Sequence, residues 1–296
     1  MQRISFYDQI AKNKRNSVIL TIFVVGLVVG LVFTIGYIFF PSLAIFFFIF
    51  AVVWMAGHVY VSYNYGDSIV LKATKAELAD PVKHIQLINT VEGLSIAAGI
   101  PPPKVYVVDD PEINAFACGK NPNHASIAVT TGALKNLNRV ELEGVVGHEI
   151  SHIKNYDIRF MTLVAVLVGL AAILSYMLLR AYWYGGRGNK RGGKEGLLIV
   201  AGFILAILAP FVSRLVQGMV SRRREFLADA SSAQLTRYPE GLASALEKIK
   251  NKNSGEMNVS ESISHLFISD PNRSPLDALF ATHPPLEKRI EVLRAM

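Results

Sequence analysis

Four stretches of this chain, residues 17–40, 42–62, 158–182 and 197–220, are each long and apolar enough to cross a bilayer, whose hydrocarbon core takes about 20 residues of helix. Nothing else in the sequence constrains the fold as strongly, because a chain in lipid must satisfy its backbone N–H and C=O groups internally. Yet 18% of the 296 residues are charged and 51% hydrophobic, with a mean hydropathy of +0.35. This balance excludes both an ordinary soluble protein and a chain buried wholly in lipid. It describes a membrane-anchored protein carrying a substantial water-exposed domain.

The first apolar run, Ser17 to Phe40, is longer than the core of a signal peptide and ends in Phe-Phe-Pro-Ser instead of small residues. It reads as a helix that stays attached. A turn at Pro41-Ser42 folds it against the second run as a transmembrane hairpin over 17–62, with both ends on one side. Arg3, Lys12, Lys14 and Arg15 precede it, and the positive-inside rule places that side, with segment 1–16, in the cytoplasm. Residues 63–157 then form the first cytoplasmic half of the water-exposed domain, 158–220 a second hydrophobic pair, and 221–296 the second half. The loop 183–196 between the later apolar runs carries Arg187, Lys190, Arg191 and Lys194 among six glycines. If both runs cross, this loop lies outside, against the charge rule. Either the first hairpin dominates the orientation, or the second pair packs partly inside the protein. Arg214 and Gln217 suit an interfacial end or a cavity wall better than lipid. The +7 net charge sits largely beside the apolar runs, where anionic headgroups and not nucleic acid are the natural partners. Cys118, the single cysteine, excludes an intramolecular disulfide.

Between the membrane segments, Leu78, Val82, Ile85, Ile88, Val91 and Leu94 recur at helical spacing and predict a helix over 78–99. Runs 104–109, 115–118 and 125–130 read as short strands separated by Asp, Pro, Gly and Asn. A helix of about 138–156 follows, with Asn138 as N-cap and Glu141 three residues on, a capping-box pattern. Helical patterning resumes over 221–236 and again from Pro239 to about 251, with proline in the first turn. Residues 252–277, rich in Ser, Asn, Asp and Pro, read as a mobile loop, and a short helix follows Pro284-Pro285. The fold class is therefore a mainly α membrane protein of about four membrane helices, joined to an α+β domain with a small sheet.

The second half of the 138–156 helix contains His148-Glu149-Ile150-Ser151-His152. Histidines four apart share a helix face, so both imidazoles reach one ion, and the intervening glutamate is placed to act on a metal-activated water. A site of this kind needs a third ligand. Glu225 fits it, and Asp229 one turn on lies on the same face, placed to accept the free N–H of a ligating histidine. The bland alternative for Glu225 is a charged patch beside Arg222, Arg223 and Arg224.

His148–Asp157, Glu225-x-x-x-Asp229, Asn114-Ala-Phe-Ala117 and Thr282-His-Pro-Pro285, in that combination, resemble the HtpX family of membrane zinc endopeptidases, relatives of the CAAX prenyl endopeptidases. The resemblance covers essentially the whole chain. It implies a zincin-like peptidase domain with one zinc ion per chain on His148, His152 and Glu225, Glu149 as catalytic base, and a site facing the cytoplasm at the cell membrane. It also implies work on damaged or misassembled membrane proteins, often under stress. Contacts with substrate or the developing oxyanion fall to His283 and Arg289, whose bland readings are a turn residue and a solvated helix face. Substrate is expected to add as a strand to an exposed edge at Asn114, Ala115, Phe116 and on to Cys118; the alternative is an internal strand. Cys118 reads as a packing residue, and His58, His84, His124 and His265 show no ligand spacing. Two other functions compete: processing of prenylated C-termini, and a scaffold or transporter in which HExxH is incidental.

Overall fold

The computed structural model describes residues 41–166, 222–255, 257, 259–271 and 284–296, together with Gly169, Arg180 and scattered positions between 11 and 37. Those early positions are helical. Most of the two later apolar runs, the basic loop 183–196 and His283 lie outside the described residues.

Helix α1, Ala44–Ala73, follows a 3-10 turn at Pro41–Leu43. Together they form the one described helix long and apolar enough to cross a membrane, with a mean hydropathy of 2.1 over its most apolar window. Its 30 residues extend about 45 Å at 1.5 Å each, well beyond the roughly 30 Å of hydrocarbon. The helix therefore does not stop at residue 62 but carries on as a stalk into the folded domain. Gly66 lets it lie directly on helix α5, residues 157–166: a Cβ there would sit 2.9 Å from Thr162 Cγ2.

The domain is built on a four-stranded sheet of order β1-β2-β4-β3, from Glu77–Leu78, Lys104–Val108, Ala115–Asn121 and His124–Thr130. β2 runs parallel to β4, and the other pairs are antiparallel. Of the helix expected over 78–99, only Ile85–Ala98 forms, as α2. The reason is local. Leu78 pairs in β1, and the Asp80 carboxylate accepts from Val82 N and Lys83 N at 2.8 and 2.7 Å, a turn that delays the helix. Helix α3, Thr131–Asn136, leads to α4, Arg139–Lys154. The capping box is present: Glu141 N donates to Asn138 Oδ1 at 3.0 Å and Asn138 N to Glu141 Oε2 at 2.7 Å. Lys248 adds an ion pair to the same carboxylate at 2.7 Å.

α4 is the central element, buried along almost its whole length. It packs on β3, on α2, on α6 (Arg222–Thr236) and on α7 (Pro239–Lys252). Two glycines make these approaches close. A Cβ on Gly144 would lie 2.6 Å from the Leu242 backbone nitrogen, and one on Gly147 2.8 Å from Ser232 Oγ. Ser232 uses the gap to donate to Gly144 O at 2.6 Å.

Two readings are sharpened here. Residues 158–166, for which the sequence left open either a bilayer crossing or packing partly inside the protein, are mostly buried, with Ile158, Phe160 and Val164 inside. Phe160 and Val164 join a core with Met55, Phe116 and Phe267, and Ile158 joins the core under α4 with Ile150 and Ile153, so this end of the third apolar run packs internally. The segment 259–271, read as mobile loop, contains helix α8 (Glu261–Ser264) and buries Ile263, Leu266, Phe267 and Ile268. Its polar composition masks an apolar cluster that needs the core. Helix α9, Leu286–Arg294, closes the chain against α7.

Candidate metal centre

α4 supplies His148, Glu149 and His152; α6, crossing it, supplies Glu225 and Asp229; α9 supplies Arg289. His148, His152 and Glu225 each turn one ligand-capable atom toward a common point, all within 4.8 Å of one another. The two Nε2 atoms lie 3.1 Å apart. Glu225 Oε2 is 3.6 Å from His148 Nε2, and its Oε1 is 3.5 Å from His152 Nε2. None of the three is more than 4% exposed.

The far side of each imidazole is held. His148 Nδ1 faces Asp229 Oδ1 at 2.9 Å, and His152 Nδ1 faces Asp157 Oδ2 at 3.1 Å. A carboxylate on Nδ1 fixes ring orientation and leaves Nε2 free to coordinate. The sequence pointed to Asp229 but not to Asp157 as the partner of His152. Asp157 lies past the end of α4, where Tyr156 adopts φ 60° and swings the chain back under the ring. Arg224 steadies it at 3.4 Å.

Arg289 is fully buried, not on a solvated face. Its Nη2 and Nε donate to Asp229 at 2.7 and 2.9 Å, and its Nη1 donates to Ile268 O at 3.0 Å. Nη1 is also 3.7 Å from Glu225 Oε2.

The electrostatics fit a site built for a cation. Burial pushes the Glu149 carboxyl up to about 7, with the Glu225 charge adding to it. Burial alone would lower His152, but the Asp157 hydrogen bond and the charges of Glu225, Asp157 and Glu149 hold it up at about 9. His148, with the Arg289 charge beside it, is driven down by burial to about 4. Burial opposes ionisation of Asp229, yet Arg289 and His148 together outweigh it and hold this carboxyl at about 2. Glu149 Oε1 is buried with no hydrogen-bond partner among the described residues. A lone polar atom beside two imidazoles and a second carboxylate fits a centre designed around a dication and water. The two-nitrogen, one-carboxylate donor set matches sites that bind zinc.

The strand Ala115–Asn121 does occupy the edge of the sheet, but that edge is not exposed. Ala115 to Cys118 are at most 2% accessible. Ala115 O accepts from Ile268 N at 2.9 Å, the Ala117 amide bonds the Glu149 carboxylate, and Gly119 N donates to Thr162 Oγ1 at 3.0 Å. Phe116 bridges to Phe267, their rings 4.9 Å apart. Asn114 clasps the same segment: its Nδ2 donates to Ser269 O at 3.0 Å, and Ser269 N to its Oδ1 at 3.3 Å. Cys118 is buried, which pushes its thiol far up. His265 is also buried and faces the Met161 carbonyl.

Among solved structures, Ste24p of S. mikatae shares the fold: TM-score 0.51 and 20% identity, covering 96% of this chain and 67% of that one. Closer in sequence are three curated relatives named Protease HtpX homolog. That of Dictyoglomus thermophilum is 45% identical, with 100% of this chain and 96% of the relative aligned. That of Tropheryma whipplei (strain Twist) is 42% identical over 98% of both chains. That of Streptococcus uberis is 38% identical over 98% of this chain and 99% of its own. The profile of Peptidase family M48 matches residues 81–296, which include every residue of the centre. The chain belongs to peptidase family M48.

Proposed function

We propose that this membrane metallopeptidase is a zinc-dependent endopeptidase that cleaves damaged or misfolded proteins, including membrane proteins. In this reading His148, His152 and Glu225 hold the ion and Glu149 is the general base. The observation that carries it is the convergence of two Nε2 atoms and a carboxylate, each ring backed by its own aspartate, beside a buried glutamate with an unpartnered oxygen. When bound, the metal supplies a Lewis acid that polarises the scissile carbonyl and makes water acidic enough to react near neutral pH.

The chain's own groups do the rest. Glu149 Oε1 takes the proton from the attacking water and returns it to the departing amine nitrogen. The Ala117 amide holds that carboxylate in place. Asp229 and Asp157 keep both imidazoles aimed. Burial of the whole cluster excludes bulk water, which strengthens each of these interactions. His283 is proposed as an additional donor to the oxyanion, and substrate as a strand that takes the place of residues 267–269 along β3. Four membrane segments, with the domain on the cytoplasmic side, complete the reading. The scaffold alternative leaves the converging ligands without a purpose, and nothing in the centre favours prenylated C-termini.

The test is cleavage of an unfolded protein, alongside self-cleavage, by enzyme purified in detergent with chelator and then resupplied with zinc. Wild type should cut only with metal, and Glu149→Ala should not cut at all. Equal cutting by both would refute the reading.

A further inference from the structure

Where α1 leaves its apolar stretch, a second polar recess opens, away from the metal centre. From Ala44 to Ser62 the helix rises about 27 Å, close to the thickness of the hydrocarbon core. The next turn carries Tyr63, Asn64 and Asp67, flanked by exposed Tyr60 and Tyr65. Tyrosines at this depth mark the headgroup layer. Facing that turn are Lys120 on β3 and Arg159 on α5, which together line an open recess with about 40 Å³ of free volume.

The recess holds two cations, neither of them ion-paired among the described residues. Lys120 Nζ lies 5.6 Å, and Arg159 Cζ 5.0 Å, from the centre of the same Tyr63 ring. Lys120 also donates to Asn64 Oδ1 at 3.1 Å. Arg159 Nε is buried with no hydrogen-bond partner among the described residues, a costly arrangement for a guanidinium. The one carboxylate in the recess, Asp67, is bonded to its neighbouring Ser68 amide and pairs with neither cation. His124 at the rim shares its Nδ1 with Asn121.

The walls are fixed. A bulge between Gly119 and Asn121 turns Lys120 toward the helix. Gly119, at φ 142°, is required there, since a Cβ would run into the His124 carbonyl. Thr162 ties α5 to β3 through Gly119 N, and Gly66 seats α1 on the same threonine.

We propose that this recess binds the phosphodiester of an anionic phospholipid headgroup. Two cations less Asp67 leave one positive charge, which a singly charged phosphodiester neutralises and a doubly charged inorganic phosphate overshoots. The recess opens at headgroup depth beside the membrane helix, where lipid is the abundant source of that group. A lipid held there would fix the stalk of α1 against β3, the strand that carries Ala117 and so touches Glu149. The proposal rests on the membrane placement of α1 and not on the chemistry of the metal centre.

Full-length protein reconstituted in vesicles of phosphatidylcholine and phosphatidylglycerol, then extracted and examined by native mass spectrometry, tests it. Wild type should keep one phosphatidylglycerol per chain in preference to phosphatidylcholine. A Lys120→Gln, Arg159→Gln double variant should lose that adduct by about 30-fold, with unchanged thermal unfolding. If the double variant does not fold, Lys120→Gln alone should lower retention and Lys120→Arg restore it. Equal retention by wild type and variants, no preference between the two lipids, or displacement of the lipid by inorganic phosphate would each overturn the proposal.

Discussion

Arg289 and Asp229, sixty residues apart in sequence, are locked together by two hydrogen bonds of 2.7 and 2.9 Å in the interior of the protein. Asp229 in turn meets His148 Nδ1 at 2.9 Å. The helix Leu286–Arg294 thus reaches the metal centre chiefly through Asp229, with Arg289 also 3.7 Å from Glu225 Oε2. Arg289→Met should weaken zinc affinity about 10–100-fold, as losses behind a ligand do, and cost about 3–5 kcal/mol of stability by leaving the Asp229 carboxylate buried without its cationic partner. A chelator competition titration together with thermal unfolding checks both. Undiminished zinc affinity with a lower kcat would instead assign Arg289 to the substrate.

Glu225→Ala removes the only carboxylate among the three converging ligands, so the purified variant should carry far less than stoichiometric zinc. Asp157→Asn keeps every ligand but weakens the support of His152, and should bind zinc about 10–100-fold less tightly. Elemental analysis after dialysis separates the two outcomes. Full zinc in the Glu225 variant removes that residue from the ligand set.

Glu149→Gln leaves the ligands untouched. Zinc content should match wild type, while proteolysis falls by about 10²–10⁴, the usual contribution of a positioned base. Metal loss in this variant would mean that Glu149 serves the ion and not the proton.

Much of this centre was legible in the sequence because it is local. His148, Glu149 and His152 lie within one and a half turns, the Asn138–Glu141 capping box sets the frame of their helix, and Glu225 and Asp229 repeat the helical spacing on α6. What escaped is long-range or hidden by composition. Arg289 is singled out only through the family resemblance, as a substrate or oxyanion contact; nothing local in its charge-rich helix marks it as buried against Asp229. Asp157 follows its helix end and depends on the φ of Tyr156. Phe267 and Ile268 sit in a Ser- and Asn-rich stretch, and only the tertiary fold gives them a core to enter.

The close approach of α4 to α7 and α6 yields a graded pair. Gly144→Ala would place a methyl against rigid Leu242 backbone at 2.6 Å, whereas Gly147→Ala meets the Ser232 hydroxyl at 2.8 Å, a side chain that can turn. Overpacking costs about 1–3 kcal/mol, and Gly144→Ala should lie at the upper end, Gly147→Ala at the lower. Denaturant unfolding of the detergent-solubilised variants reads the difference, and the reverse order would contradict the packing described.

The last relationship concerns access. A peptide that adds to β3 must pair with its outward backbone groups, but Ala115 O is already bonded to Ile268 N, and Phe116 is stacked on Phe267. The same segment is fastened further by Asn114 to Ser269 and by Arg289 to the Ile268 carbonyl. Substrate and the 267–269 segment therefore compete for one edge. Loosening the clasp without touching the ligands favours substrate, and Asn114→Ala does this by removing two hydrogen bonds to Ser269, each worth about 1 kcal/mol. The variant should cleave an unfolded substrate up to about tenfold faster at low substrate concentration, with the gain in KM and not in kcat. Steady-state kinetics on wild type and variant decide it. A raised KM would show that Asn114 and the 267–269 segment form part of the substrate platform, so that closure over β3 assists binding instead of opposing it.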